Sequence, residues 1–297
     1  MSKIIDGKKI AENIKADILR KVKNLKKTPQ LVAILVGENP ASEIYSNSQM
    51  KLAKELGIKY KLIHLKKSAT PENLRDTILK LNKTSSVDGI ILLLPLPEGF
   101  NAGEFQSLIA PEKDVECINP SNLGNLVLGE ISVAPCTAMA VWEIIKSQKI
   151  NIKGKDTVII SHSAIVGKPI NMLLLSSPDK SATTTCCHVA TKNLSHYTKR
   201  ADILIVAAGK PRFIKGSMIK KGAVVIDVGI NRIVRGKKSE IVGDVDFKSV
   251  FKKAKKITPV PGGVGPISTV MLFKNLINLT LGDKFESFNQ HLQQKRS

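Results

Sequence analysis

Apolar residues at Ile10, Ile14, Ile18, Val22 and Leu25 recur at the spacing of one helix face. Leu31–Val36 is a short unbroken apolar run of strand length. Asn39 followed by Pro40 supplies an N-cap and a first-turn proline, opening a helix to about Leu56 that Gly57 ends. Tyr60–Leu65 alternates as a strand, Thr70 and Pro71 open a helix to about Leu81, and Val87–Leu94 reads as a buried strand. The first part is therefore αβαβαβ, the pattern of a parallel sheet covered by helices.

From Glu98 to Glu130 the pattern is irregular and rich in Gly, Pro and Asn. Cys136–Ser147 reads as a helix joining two series. The second series has strands at Thr157–Ser161, Thr183–His188, Ile203–Ala208 and Ala223–Val228, with helices at Gly167–Leu175 and Asn193–Arg200. This is a Rossmann-like array, in which Gly209 and Asp227-Val-Gly229 follow strand C-termini, where open α/β sheets bind ligands. The fold class is α/β with two domains. Residues 1–140 are expected to form an N-terminal αβ parallel-sheet domain, completed by a C-terminal helix over 268–282. Residues 141–267 are expected to form the Rossmann-like nucleotide domain, and 283–297 a flexible polar tail.

Thr258–Ser268 holds three glycines and three prolines in eleven residues, which excludes a regular helix or central strand there. A stiff loop of this kind leading into an apolar helix can form a ligand-contacting wall, or a plain structural turn.

The chain has 297 residues, 42% of them hydrophobic, enough for a sizeable core. The apolar run Ile90–Leu94, like Leu31–Val36, is far below the ~18–20 residues that span a bilayer. No signal-peptide pattern opens the sequence, so a cytoplasmic location and no membrane partner are expected. The four cysteines (Cys117, Cys136, Cys186 and Cys187) show neither a disulfide framework nor metal-ligand spacing, and no metal is predicted. The net charge of +21 suits anionic ligands, but it comes mostly from lysines spread over the whole length. Aromatics are only 4% and form no stacking platform, so no nucleic-acid partner is expected.

Ser161-His-Ser-Ala-Ile-Val-Gly167 occupies the first turn of the second series. It matches neither a G-x-G-x-x-G nor a Walker A pattern, and only Gly167 remains for close helix–strand packing. At the end of the next strand, Cys187-His188-Val189 offers no acid for a ribose hydroxyl and no arginine for a 2′-phosphate.

Several segments then occur in a telling order: Val36-Gly-Glu-Asn-Pro-Ala-Ser42 with Tyr45, Asp88-Gly-Ile90 with Pro95-Leu-Pro97, Pro111-Glu-Lys-Asp-Val115, Pro135-Cys-Thr137, Ile165-Val-Gly167 with Pro169, Gly222–Asn231, Val242-Gly-Asp-Val245 and Thr258–Pro266. Over residues 3–282 the chain resembles the methylenetetrahydrofolate dehydrogenase/methenyltetrahydrofolate cyclohydrolase family (the FolD type). The resemblance implies a folate site in a cleft between two α/β domains and a homodimer formed through the nucleotide domain. It also implies tetrahydrofolate one-carbon derivatives as substrates and NADP, or alternatively NAD, as cofactor. Members oxidise 5,10-methylenetetrahydrofolate and hydrolyse the methenyl product to 10-formyltetrahydrofolate.

Carried over residue by residue, the resemblance implies catalytic positions at Tyr45, Gln49 and Glu116. It implies substrate contacts at Tyr45, Leu93, Glu116, Pro261, Gly262 and Gly263. The cofactor positions are Ser161, His162, Ser163, Ile165, Val166, Gly167, Val189 and Ile230, with His162 read either as a neighbour of the adenosine phosphate or as a surface histidine. Four positions depart from the family. Gln49 stands where the family has lysine; an amide hydrogen-bonds but does not titrate, and losing a general acid/base costs ~10²–10⁴-fold. Leu93 replaces a glutamine, and Glu116 replaces an aspartate, which moves its carboxylate by up to ~1.5 Å. Ser161 replaces a glycine and would crowd the pyrophosphate if φ > 0 were required. The sequence thus supports a dehydrogenase whose cyclohydrolase activity is weak or lost. A fully bifunctional enzyme with an adapted site and a non-catalytic binding relative remain as alternatives.

Overall fold

The computed structural model describes residues 2–176, 181–235 and 238–282; the tail expected over 283–297 lies outside the described residues. The chain divides into two compact units. The first comprises Asn13–Cys136 with the helical residues from Thr269 on, and the second comprises the residues up to Glu12 with Thr137–Ser268.

The first unit follows the chain through α1 (Gly7–Lys23), β1 (Gln30–Val36), α2 (Pro40–Glu55), β2 (Lys59–Leu65), α3 (Pro71–Lys83), β3 (Gly89–Leu92), α4 (Ala102–Leu108) and α5 (Pro120–Leu128). Its three strands are parallel in the order β2-β1-β3. β1 is central and apolar on both faces, so Leu31–Val36 are all buried. Val32, Ile34, Leu74, Ile78, Ile90 and Phe105 form its core. Asn39 caps α2 by accepting from the Ser42 N–H at 3.0 Å, and Thr70 and Asn73 form a reciprocal capping box on α3.

The irregular middle contains two helices that the periodicity missed, α4 and α5, each capped by the asparagine before it: Asn101 accepts from Glu104 N and Asn119 from Ser121 N. The strand expected over Val87–Leu94 shortens to Gly89–Leu92. Ile90 then bridges to Asp114, which brings the Asp114–Cys117 turn beside β3.

The second unit runs through α6 (Cys136–Ser147), β4 (Asp156–Ile160), α7 (Gly167–Leu175), β5 (Thr183–Cys187), α8 (Leu194–Thr198), β6 (Ile203–Val206), β7 (Val224–Asp227), β8 (Asn231–Arg235), β9 (Lys238–Val242), α9 (Phe247–Lys253), β10 (Lys256–Ile257) and the start of α10 (Val264–Leu281), whose residues from Thr269 on belong to the first unit. Five strands form a parallel sheet in the order β10-β7-β6-β4-β5, and β8 and β9 pair as an antiparallel hairpin. The order reverses at β4, which pairs with β5 on one side and β6 on the other; the crevice beyond these strand ends is where such sheets take ligands. Val158, Ile160, Leu204, Val206, Val225 and Ile257 build the core.

Two expectations need correction. The residues before Asn13 do not belong to the first unit. Ile4 pairs in parallel with Ile257, Ile5 N donates to Ile257 O and Gly7 N to Gly262 O, each at 2.9 Å, so the sheet edge recruits them. Contact is close enough that a Cβ on Gly7 would lie 1.7 Å from Gly263 O. The final helix begins at Val264, inside the proline–glycine segment, rather than after it. Pro266 is tolerated because first-turn residues have no intrahelical acceptor for an N–H. By length and composition α10 could cross a membrane, but Val270, Met271, Leu272, Phe273, Leu276 and Ile277 are buried, as in a core helix.

Candidate functional site

In the first unit, α2 places Tyr45 and Gln49 one turn apart on one face. The start of this helix is tied to the end of β3, because Ser42 Oγ donates to Leu94 O at 2.9 Å. Gln49 is fully buried, while 41% of Tyr45 is accessible. The Tyr60 hydroxyl, on β2, donates to Gln49 Oε1 at 2.9 Å and lies 3.0 Å from Ser46 Oγ. Gln49 Nε2 is buried and makes no hydrogen bond of standard geometry. Burial of the phenol pushes Tyr45 up to about 12; the nearby Gln49 amide offsets part of this, and Glu116, Cys136 and Tyr60 add to it.

Glu116 sits on a pinned turn. The Asp114 carboxylate accepts from Ile118 N and Asn119 N, both at 2.8 Å, and from Asn122 Nδ2 at 3.1 Å. Burial pushes the Glu116 carboxyl up to about 8, and the Asp114 charge adds to the rise. Cys117, the residue after Glu116, has a left-handed φ of +55°. A non-glycine residue in that conformation costs about 1–2 kcal/mol. Leu93 is buried, with its N–H on Ile34 O, and its side chain offers no polar partner.

The other residues singled out in the sequence fall in the second unit. Ile230 and Pro261–Gly263 line one small cavity of about 120 Å³ with Asp227 and Ile241. A second cavity, of about 270 Å³, lies beyond the ends of β4, β5 and β6. It is lined by Ser161, His162, Ser163 and Val189, and also by His188, Thr191, Lys210 and Phe213. The rings of His162 and His188 approach to 5.1 Å between centroids. His162 is thus both exposed and part of a cavity wall. Ile165 and Val166 lead into α7, where Val166 N donates to Ser163 Oγ at 3.2 Å.

Ser161 is not among the non-glycine residues of positive φ, so the backbone condition attached to a serine there is not met. The close approach falls instead on Gly167, whose Cβ would lie 2.0 Å from Ser161 O. That contact closes the turn at the switch point. With two imidazoles, a lysine and several hydroxyls around it, the cavity suits the phosphate-bearing adenosine end of a dinucleotide.

Sequence reasoning missed two residues and one arrangement. Tyr60 and Asn275 act across long stretches of chain and leave no local signal. Asp227 and Asp244 form a buried frame: Asp227 accepts from Gly229 N, Asp244 N and Val245 N, and Asp244 accepts from Ala208 N, Gly209 N and Asn231 Nδ2. Burial pushes Asp227 up to about 7, against the pull of those N–H groups. The frame locks together the loops that follow β6, β7 and β9. Both acids lie in segments that the sequence singles out, Gly222–Asn231 and Val242–Val245, but nothing local pairs them.

Residues 5–116 match the family described as "Tetrahydrofolate dehydrogenase/cyclohydrolase, catalytic domain", and residues 135–283 match its "NAD(P)-binding domain". The chain is 46% identical over 279 residues to "Bifunctional protein FolD" of Acetivibrio thermocellus, covering 93% of this chain and 96% of that protein. It is 44% identical over 277 residues to the protein of the same name from Bacillus licheniformis, covering 92% and 95%. Among solved structures, the bifunctional FolD of Campylobacter jejuni superposes with a TM-score of 0.89 at 42% identity, covering 94% of this chain and 98% of that one. The Trypanosoma brucei dehydrogenase-cyclohydrolase, solved with NADP and an inhibitor, gives a TM-score of 0.87 at 34% identity, covering 94% and 97%.

Proposed function

The chain belongs to the tetrahydrofolate dehydrogenase/cyclohydrolase family, and on that premise we propose that it oxidises 5,10-methylenetetrahydrofolate with NAD(P) and hydrolyses the methenyl product to 10-formyltetrahydrofolate. Its relatives are bifunctional, which favours two activities here. The observation that carries the reading is the titratable set that remains around Gln49. Glu116, at about 8, and Tyr45, at about 12, leave acid/base groups at the site although residue 49 has none.

When bound, the dinucleotide supplies the hydride acceptor. Ser161, His162, Ser163 and His188 would hold its adenosine end, and Ile230 with Pro261–Gly263 would form an apolar wall around its reactive end. On the folate side, Glu116 would bind the pterin, and Tyr45 and Gln49 would hydrogen-bond near the reacting carbon. Oxidation depends mainly on positioning, which these groups can supply without proton transfer. Hydrolysis needs a proton taken from water and one given to a ring nitrogen, and Glu116 and Tyr45 are the groups assigned to exchange them.

One observation favours a second reading, in which hydrolysis is weak or lost. Gln49 cannot titrate, and Leu93 brings no polar side chain to support a replacement. The deciding experiment follows methylenetetrahydrofolate with purified protein and either NADP or NAD. Prompt conversion to the formyl product supports two activities; accumulation of the methenyl intermediate supports the second reading; no turnover with either cofactor overturns both. Homodimerisation and a cytoplasmic location belong to the same proposal, the former checked by sedimentation.

A further inference from the structure

Gln49 is fully buried with one end of its amide engaged and the other not. The engaged end is held by a directed chain of hydroxyls. Tyr60 has a single phenolic proton and donates it to Gln49 Oε1 at 2.9 Å. The contact between Tyr60 and Ser46, at 3.0 Å, must then run the other way, with Ser46 as donor. Ser46 is itself fully buried, so the relay is shielded from competing water.

An amide fixed by its oxygen has no freedom to turn its nitrogen elsewhere. Nε2 is therefore set on the side away from Tyr60, facing the Tyr45 phenol but outside standard hydrogen-bond geometry. A buried N–H short of a well-formed hydrogen bond is destabilising, and a bound acceptor recovers the loss. Nothing in the family resemblance concerns Tyr60, which lies on β2, outside every matching motif.

We propose that Tyr60 is a positioning residue that turns Gln49 into a fixed neutral donor, with Nε2 presented to an acceptor atom of the bound folate. This rests on the folate reading of the site. Residue 49 then contributes binding and orientation where an ammonium would contribute charge and a proton. Tyr60 acts only through Gln49, by keeping the amide from inverting.

The test compares Tyr60→Phe, Gln49→Leu and the double variant, using calorimetric titration with tetrahydrofolate and, separately, with NADP. Tyr60→Phe should weaken tetrahydrofolate about tenfold and leave NADP unchanged. Gln49→Leu should weaken it at least as much, and the double variant should be no weaker than Gln49→Leu alone. In turnover, KM for methylenetetrahydrofolate should rise more than kcat falls. Ser46→Ala, which breaks the relay without touching the ring, should move affinity in the same direction and by less. Its result decides if Tyr60→Phe proves unstable. Unchanged affinity in both relay variants, or losses that multiply in the double variant, overturns the proposal while leaving the folate reading intact. A wild-type protein that binds NADP but neither binds nor oxidises folate overturns both.

Discussion

Asn275 donates through Nδ2 to the backbone carbonyl of Val115 at 2.8 Å, across 160 residues of sequence. The same amide reaches Ala134 O at 2.9 Å. With Asp114 holding the N–H groups of Ile118 and Asn119, the backbone is gripped on both sides of Glu116. The position of that carboxyl is therefore a product of α10 as much as of its own turn.

Asn275→Ala should destabilise the protein by about 2–4 kcal/mol, since two buried carbonyls lose a donor. Tetrahydrofolate affinity should fall with it, and NADP affinity should not. Chemical denaturation and the two titrations check this; equal losses for both ligands would show a general loosening rather than a displaced Glu116.

Glu116 makes stability depend on pH with a definite sign. Its folded value, about 8, lies above the ordinary 4.5, so the native state holds the proton more tightly than the unfolded chain. The contribution is full below about pH 4.5, is lost as pH rises through 8 and is flat beyond. At ~1.4 kcal/mol per pKa unit the loss is several kcal/mol. Denaturant midpoints measured from pH 4.5 to 9 should show this decline in the wild type and a much flatter profile in Glu116→Gln.

Binding should expose the same proton. If folate donors require the ionised carboxylate, titration near pH 7 should release close to one proton. Calorimetry in buffers of different ionisation enthalpy reads that number directly; no release would place the folate away from Glu116.

Gln49→Lys should raise hydrolysis of methenyltetrahydrofolate, but by less than the ~10²–10⁴-fold that a general acid/base is worth. A buried ammonium needs partners, and Leu93 supplies none. Adding Leu93→Gln should increase the gain. Full recovery with the single change would mean that Tyr60 and its neighbours suffice as partners.

Gly167→Ala should abolish dinucleotide binding and lower the melting temperature, because the new methyl group would lie 2.0 Å from Ser161 O and α7 would have to move off the turn. NADP titration together with a thermal melt would check this. An alanine variant that binds normally would show that the Ser161 turn yields.

Much of the fold was written locally. Asn39 and Thr70 cap the helices that the spacing expects, and Cys136–Ser147 and Gly167–Leu175 appear with the boundaries read from the pattern. The failures share a cause. Asn101 and Asn119 looked like loop residues because the side chain that caps a helix is also the one that favours a turn. The β8–β9 hairpin carries charge on both strands, so no apolar alternation marks it. At the candidate site, Tyr45, Gln49 and Glu116 came from motif resemblance. Their supports, Tyr60 and Asn275, could not, since a hydrogen bond between distant segments leaves no periodicity behind.

The pairing of Ile4 with Ile257, and of Gly7 with Gly262, sets an order of events at the ribosome. Residues made early are held by residues made much later, so an emerging chain carries Ile4–Gly7 unplaced until Ile257 and Gly262 have followed. For that interval the β7 side of the sheet has no closing strand. Premature termination before residue 257 would leave a nascent product with an open margin, a natural target for chaperones and proteases.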